Sequence, residues 1–218
     1  MVIRLLTNDK LRSIVAGSER YRKPPSSELT VHNFEEGVKI WDNEDVKSFF
    51  FLKSMNWQPR NEIAVFLPCS ASKPYPYSDS HRDGYLKALL PYFDRIDLLV
   101  VSEPMGIVPY SYSDEYPVDS YDYNPYKFFI GKRDDPLVEK ALQIFTSRLA
   151  LWIEKFHESY ELRILALPKS WHLKVFERSL SKVKIAIDQY KIVSLSGRAR
   201  NSLTELKRQF AFYFQEEC

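Results

Sequence analysis

The feature that most constrains this chain is a short apolar run, residues 63–67, that leads directly into a proline-rich loop, residues 68–82. A continuous apolar run of this length is typical of a β-strand buried on both faces. The loop contains three prolines, which fix φ and exclude regular pairing, so we expect a stiff loop with its own shape. It also holds a cysteine, a lysine, two tyrosines, a histidine and an arginine. Rigid loops rich in reactive groups commonly build sites.

Strand and helix patterns alternate along the rest of the chain. Apolar runs predict four strands, at residues 63–67, 96–101, 162–167 and within 185–195. The alternation predicts an α/β fold, with three α/β/α layers around a mainly four-stranded parallel sheet and right-handed crossovers. We expect residues 61–218 to form this domain. Residues 1–60 show no clear architecture, and we expect them to form a small N-terminal appendage.

Several helix starts can be read from local signals. Asp135 is a natural N-cap, and Pro136 suits the first helical turn that follows it. Asn43 is a second candidate N-cap, ahead of an apolar helical pattern. Ser202 and Glu205 form a capping box that opens the last predicted helix.

The predicted sheet indicates where a ligand binds. In parallel α/β folds the crevice lies beyond the carboxyl ends of the strands. Four segments meet there, residues 68–82, 102–132, 168–172 and 196–201. The second is too long for a simple connection, and long ordered loops in compact domains are usually functional.

Charge and composition restrict the class of protein only loosely. Residues 163–208 carry eleven Lys and Arg against three Asp and Glu. Such a segment can follow a phosphate backbone or can be the solvated faces of helices. No apolar run approaches the ~20 residues of a membrane span, and two cysteines, one of them the last residue, do not make a disulfide framework. We expect a cytoplasmic protein without membrane contact.

Cys69 is the first candidate for chemistry, because it follows the first predicted strand. A thiol needs a nearby positive charge to react well, and Lys73, His81 and Arg82 can provide one. Cys69 is then a nucleophile; the alternative is a small apolar residue in the interior. Lys73 can instead hold an anionic substrate group or be an ordinary surface lysine. His81 can transfer protons or lock the loop by hydrogen bonds.

Other side chains of the loop are candidate substrate ligands. Tyr75, with the neighbouring Tyr77, can stack on a base or pack the loop against the domain. Ser70 and Ser78 can bind substrate or close turns. Arg82 completes the candidates in this loop.

The later loops add three candidates. Asp119 and Asp122 can accept hydrogen bonds from the amino and imino edge of a guanine-like base, or can form turns beside prolines. Arg198 follows a glycine ahead of the last helix, an arrangement that suits a phosphate. The chain has no Walker motif, no GxGxxG after a strand, no HExxH and no CxxC, and its four histidines are scattered. We therefore predict no cofactor and no metal site.

The central loop resembles the signature of archaeosine synthase, the archaeal paralogue of tRNA-guanine transglycosylase. The pattern is Pro-Cys, three residues, Lys-Pro-Tyr, two residues, Ser, two residues, His. It is complete at Pro68, Cys69, Lys73, Pro74, Tyr75, Ser78 and His81. The second loop supports the resemblance through a proline-rich segment that ends in Tyr121-Asp122. Pro104 and Gly106 of this segment are further candidate substrate-binding residues. Ser120 stands where the family is expected to have a histidine.

The resemblance, over roughly residues 61–195, carries expectations about fold and function. It implies a uracil-DNA-glycosylase-like fold and action on tRNA that carries 7-cyano-7-deazaguanine, with lysine as the amine donor and a radical-SAM protein as a partner. Full-length members also carry a transglycosylase-like domain and a PUA domain, and we expect that 218 residues cannot contain either in full. We expect the catalytic domain alone, so that either a separate subunit holds the tRNA or the activity is lost.

For the substrate that the resemblance implies, we hypothesise a mechanism with two variants, because a nitrile carbon is an electrophile that a thiolate can attack. In the first, the Cys69 thiolate attacks the nitrile carbon to form a thioimidate, His81 transfers protons, and Asp119 or Asp122 holds the deazaguanine edge. In the second, the amine attacks directly and Cys69 only lines the pocket. Two other functions compete: a glycosylase-like nucleoside hydrolase, and a non-catalytic tRNA- or base-binding subunit of a transglycosylase-type complex.

Overall fold

The computed structural model describes residues 5–17, 21, 23–129, 131–132, 134–169, 171–193 and 203–215. Five strands form one sheet: β1, Ile63–Pro68; β2, Ile96–Ser102; β3, Gly106–Pro109; β4, Leu162–Leu165; and β5, Lys191–Ile192. Their order in the sheet is β3-β2-β1-β4-β5. β1 pairs in parallel with β2 and β4, and β4 pairs in parallel with β5.

Four strands are parallel, as predicted, and the fifth corrects the prediction. β3 pairs antiparallel with β2 at one edge, so the sheet is mixed. The sequence pattern missed β3 because the strand is short and prolines stand at 104 and 109. Gly106 permits the tight return from β2, since its φ of +93° disfavours any residue with a side chain. The uracil-DNA-glycosylase-like arrangement stays a prediction.

Eight α-helices surround the sheet in the described part of the chain. They are α1, Asn8–Ala16; α2, Phe34–Lys39; α3, Glu44–Ser48; α4, Lys87–Leu89; α5, Pro125–Phe129; α6, Pro136–Phe156; α7, His172–Lys182; and α8, Leu203–Gln215. Two π-helical segments, Phe49–Lys53 and His81–Leu86, continue or precede α-helices. None of these described helices is long and apolar enough to cross a membrane.

The helix starts confirm two of the three predicted caps. The Asn43 side chain accepts hydrogen bonds from the backbone N–H groups of Asp45 and Val46 at the start of α3. Asp135 accepts one from the Leu137 N–H, at 2.8 Å, at the start of α6. The third predicted cap, Ser202, lies outside the described residues.

The core lies on both faces of the sheet. Every residue of β1 is buried, so neither face of the central strand meets solvent. On one face, the Phe66 ring contacts Trp152 of α6 and Phe176 of α7. Val65 and Leu67, which point the other way, are equally inaccessible. The central strand therefore has the two-sided burial that its apolar run predicts.

The first sixty residues pack into the same core. Leu29, Trp41 and Phe49 belong to one hydrophobic cluster with the sheet residues. The Trp41 indole N–H donates to the Tyr123 hydroxyl at 3.1 Å. The predicted boundary at residue 60 stays a prediction, but this segment buries large side chains against the sheet domain.

Candidate functional site

Cys69 lies where β1 ends, at the carboxyl edge of the sheet. Its backbone N–H donates to the Val101 carbonyl of β2 at 3.1 Å, so the residue after the strand stays attached to the neighbouring strand. The side chain is only partly buried. The thiol therefore occupies the edge at which parallel α/β proteins bind ligands.

Three reactive side chains converge at this edge. The Cys69 Sγ lies 3.3 Å from Glu103 Oε2 and 3.6 Å from His172 Nε2. The distance from His172 Nε2 to Glu103 Oε2 is 3.3 Å, so the three atoms form a triangle. Each residue comes from a different part of the sheet, because Glu103 follows β2 and His172 opens α7, the helix after β4. We call these residues the Cys69 cluster.

Burial and mutual attraction fix the charges in the Cys69 cluster. Glu103 is 2% exposed, and its Oε1 accepts a hydrogen bond from the Trp171 indole N–H. Burial alone would raise the pKa of Glu103, but the attraction and hydrogen bond of His172 outweigh it and lower that pKa. Burial likewise opposes a charge on His172, yet Glu103 raises the pKa of His172 well above its usual value. A carboxylate and an imidazolium therefore face the thiol at neutral pH.

This arrangement supports two kinds of chemistry. A thiol beside an imidazole and a carboxylate can act as a nucleophile with proton-transfer partners in reach. Thiolate, imidazole and carboxylate are also ligands for divalent metal ions. Both uses require access, which the partly exposed Cys69 provides.

His81, a predicted catalytic residue, lies in a separate and fully buried cluster. Its Nε2 lies 3.0 Å from the Pro68 carbonyl, and its Nδ1 lies 3.0 Å from the Tyr110 hydroxyl. A carbonyl only accepts, so Nε2 carries the proton and Nδ1 accepts from Tyr110. Burial lowers the pKa of His81 to about 4. A neutral imidazole with both nitrogens bonded has no free site for substrate, which favours the loop-locking alternative.

Tyr75 is also withdrawn from any substrate. Its ring has no exposed surface and stacks on His81 at 5.6 Å between centroids. The hydroxyls of Tyr75, Ser102 and Tyr121 form a triangle with 2.8 Å on each side. Because it is buried, Tyr75 cannot stack on a base, contrary to one of the predicted roles. It packs the loop against the domain.

Lys73 is held inside this loop. It is 5% exposed, its Nζ donates to the Ser70 carbonyl at 2.5 Å, and the ammonium lies 4.0 Å from the centroid of the Tyr121 ring. A surface position is therefore excluded. The contacts show a cation that braces the loop from within.

The remaining candidates of the first loop are divided between interior and surface. The Ser78 hydroxyl is buried and donates to the Tyr75 carbonyl at 2.9 Å, which closes a turn. Arg82 is 5% exposed and binds the Asp83 carboxylate at 2.7 and 3.0 Å. Ser70 remains partly exposed. It borders a pocket of about 330 Å³, whose lining residues are Tyr21, Ser70, Ser72, Tyr77, Ser78, Asp79 and Ser80.

Most candidates in the second loop, residues 102–132, are also held in contacts within the protein. The Pro104 carbonyl accepts from Arg148 at 2.7 Å, and Gly106 is buried in β3. Asp119 is 4% exposed and pairs with Lys23 at 2.6 Å. Asp122 is exposed. Arg198, the last candidate ligand, lies outside the described residues.

Comparison with known families gives one match over most of the chain. The sequence profile of the family described as "Domain of unknown function (DUF5591)" matches residues 46–209. The chain belongs to this family. The matched range contains the Cys69 cluster and all five strands.

Individual relatives of this DUF5591 chain match over shorter segments. The archaeosine synthase subunit alpha of Thermoplasma acidophilum is 40% identical over 67 residues, which are 30% of this chain and 12% of that protein. The archaeosine synthase of Haloferax volcanii is 33% identical over 97 residues, which are 44% of this chain and 15% of that protein. The chain is thus related to archaeosine synthases, and the match spans a small part of their length. The crystal structure of AF0587, a protein of unknown function, has a TM-score of 0.48 at 18% identity, covering 74% of this chain and 48% of that one.

Sequence reasoning missed Glu103 and His172. Glu103 directly follows Ser102, the last residue of β2, and His172 ends the segment 168–172 that was expected at the site edge. The rule that ligands bind beyond strand ends could have selected both. The signature drew attention to His81 instead, because that histidine is close to Cys69 in sequence.

Proposed function

We propose that this DUF5591 domain acts in archaeosine biosynthesis, adding the amine of lysine to the nitrile of 7-cyano-7-deazaguanine in tRNA. The observation that carries the proposal is the Cys69 cluster, which joins the cysteine of the archaeosine synthase signature to a carboxylate and an imidazole at an accessible sheet edge. The partial identity to proteins named archaeosine synthase supports the same reaction.

The reaction has two routes at this cluster, and both balance. In the covalent route, the Cys69 sulfur bonds to the nitrile carbon, the thiol proton passes to the nitrile nitrogen, and a thioimidate forms; the amine then replaces the sulfur. In the direct route, the amine bonds to the nitrile carbon and one of its protons moves to the former nitrile nitrogen. Both routes give an amidine and regenerate the free thiol or leave it unchanged.

The pocket beside Ser70 is the proposed place for the deazaguanine base. It offers the rings of Tyr21 and Tyr77, which meet edge to face at 5.5 Å between centroids. Among the predicted carboxylates, Asp122 is exposed but does not line this pocket, so no contact with a base in the pocket is proposed for it. Asp119 is held by Lys23 and is assigned a structural role.

The proposal extends to partners. A separate transglycosylase-like or PUA-containing subunit is proposed to hold the tRNA. A radical-SAM protein would then complete archaeosine. The proposed uracil-DNA-glycosylase-like arrangement of residues 61–218 would place the base at the carboxyl edge of the sheet.

The test uses tRNA that carries 7-cyano-7-deazaguanine, the purified chain and isotope-labelled lysine. Mass spectrometry of the digested tRNA should show one lysine added to the cyano nucleoside. Loss of this product in Cys69→Ala is expected for the covalent route, whereas full turnover in that variant would leave the direct route. Cys218→Ala, which removes the other cysteine, is the matched control and should leave the product unchanged. The proposal would be contradicted if no lysine adduct formed on the tRNA or on the free cyano base, while tRNA incubated without the protein stayed intact.

A further inference from the structure

The three ligand atoms of the Cys69 cluster form a nearly regular triangle. Its sides are 3.3 Å from sulfur to oxygen, 3.6 Å from sulfur to nitrogen and 3.3 Å from nitrogen to oxygen. In the described part of the chain, this is the group of His, Cys, Asp or Glu side chains whose ligand atoms lie close enough together to hold one ion. The triangle can therefore be compared with the face of a metal coordination tetrahedron.

The comparison with zinc is close. Zinc bonds of about 2.3 Å to sulfur and about 2.0–2.1 Å to nitrogen and oxygen, at tetrahedral angles, separate sulfur from the other two atoms by about 3.6 Å and nitrogen from oxygen by about 3.4 Å. The three observed sides agree with these separations to within about 0.3 Å. An ion could therefore enter with only a small adjustment of the three side chains.

The surroundings of Glu103 match those of a metal ligand. Its Oε1 is bound by the Trp171 indole N–H, which orients the carboxylate and directs Oε2 at the sulfur and the imidazole. Such hydrogen bonds to the outer atom of a ligand are a regular part of metal sites. The carboxylate is buried, while Cys69 is partly exposed, so a fourth ligand would reach the site from the side of the sulfur.

We infer that Cys69, Glu103 and His172 bind one divalent transition-metal ion, for which zinc is the best fit. One sulfur, one nitrogen and one oxygen ligand suit zinc, and three protein ligands with an open fourth position are typical of catalytic zinc. The sequence predicts no metal site, because these ligands are 34 and 69 residues apart along the chain and match no metal motif.

The ion would select between the two proposed routes. With an ion bound, Cys69 would serve as a ligand and the ion would supply Lewis-acid activation of the nitrile. The amine would then add directly to the nitrile carbon, with one amine proton moving to the nitrile nitrogen. This role rests on the proposed function, whereas the metal site itself does not. Without an ion, the same triangle is a hydrogen-bonded thiol, carboxylate and imidazolium, and the covalent route applies.

The test measures metal binding directly, without tRNA or lysine. The purified chain is stripped with a chelator and titrated with zinc, and bound metal is counted by mass spectrometry. We expect one zinc per chain. Cobalt in place of zinc should give a near-ultraviolet thiolate-to-cobalt absorption band. Cys69→Ser should remove the band, and Glu103→Gln and His172→Gln should each weaken zinc binding by about 10-fold or more.

Two matched variants serve as controls. Cys218→Ser and His32→Gln alter a second cysteine and an exposed histidine and should leave stoichiometry and spectrum unchanged; circular dichroism checks that every variant folds. Substoichiometric zinc in the wild-type chain, or a cobalt band that survives Cys69→Ser, would overturn the inference. A metal-free chain that still transfers lysine would leave the proposed function intact, and a zinc-loaded chain without transfer would contradict only the function.

Discussion

Two histidine clusters lie beside the end of β1, and they differ in almost every respect. His172 faces Cys69 and Glu103 at a partly open edge, and a carboxylate keeps it charged. His81 lies in the interior, bonded to a carbonyl and a hydroxyl, and burial keeps it neutral. The first cluster has polar atoms directed at one another around an accessible thiol. The second has all its hydrogen bonds satisfied within the protein.

The difference shows what the signature encodes. Of its residues, only Cys69 reaches the reactive cluster, while Lys73, Tyr75 and His81 are buried in loop contacts. His81 binds the carbonyl of Pro68, the residue before Cys69. Most of the signature therefore holds the loop in the shape that presents the thiol, and the chemical partners of the thiol come from other segments.

The largest effect should come from the Cys69 cluster. Glu103→Gln keeps the size of the side chain but removes the charge that balances His172, as well as the anionic ligand of the proposed metal site. We expect lysine transfer to fall by about 10³-fold in kcat/KM, measured with cyano-deazaguanine tRNA. The exposed Glu177→Gln is the matched control. Turnover close to that of the wild-type chain in Glu103→Gln would remove the functional distinction between the two clusters.

The second-largest effect should be a loss of stability when the buried cluster around His81 is disrupted. His81→Ala removes an imidazole from the interior and leaves the Pro68 carbonyl and the Tyr110 hydroxyl without their partner. A cavity and unsatisfied polar groups together should cost about 3–4 kcal/mol of the free energy of unfolding. Urea unfolding, with His32→Ala as the exposed control, measures the loss. A His81→Ala protein that is fully stable but inactive would show that His81 is a reactive residue after all.

The buried His81 should also make the stability of the protein depend on pH. The pKa of His81 is about 4 in the folded chain, against about 6.5 in an unfolded one. Between these values the unfolded state binds the extra proton, so stability falls as the pH falls, by about 1.4 kcal/mol per unit and about 3 kcal/mol in all. His81→Gln should flatten this part of the curve relative to wild type. Equal slopes in the two proteins would contradict the assignment of a neutral, buried His81.

Local signals in the sequence predicted much of the fold. Asn43 and Asp135 cap helices as expected, because an N-cap depends on a side chain and the backbone a few residues away. The continuous apolar run of β1 correctly predicted a strand that is buried on both faces. β3 escaped prediction because its register comes from pairing with β2, which no local pattern encodes.

The site was less predictable, because its partners are distant in sequence. Topology predicted that Cys69 lies at the carboxyl edge of the sheet, as it does, but Glu103 and His172 meet it only through the packing of β2 and α7 against β1. Proximity along the chain favoured His81, whose side chain turns into the interior. A residue type and its spacing indicate a possible role, whereas direction and burial decide it.

The smallest predicted effect concerns the hydroxyl triangle between the two clusters. Tyr121→Phe removes one hydroxyl, but Tyr75 and Ser102 remain 2.8 Å apart and can still bond to each other. Because no buried group is left unsatisfied, we expect a loss of about 1 kcal/mol in the free energy of unfolding. Lysine transfer should stay within about 3-fold of wild type, since the Tyr121 hydroxyl bonds to the hydroxyls of Tyr75 and Ser102 and not to the Cys69 cluster. A much larger loss of kcat at unchanged stability would mean that the triangle takes part in the reaction, and that the boundary between the reactive and the structural cluster lies beyond Tyr121.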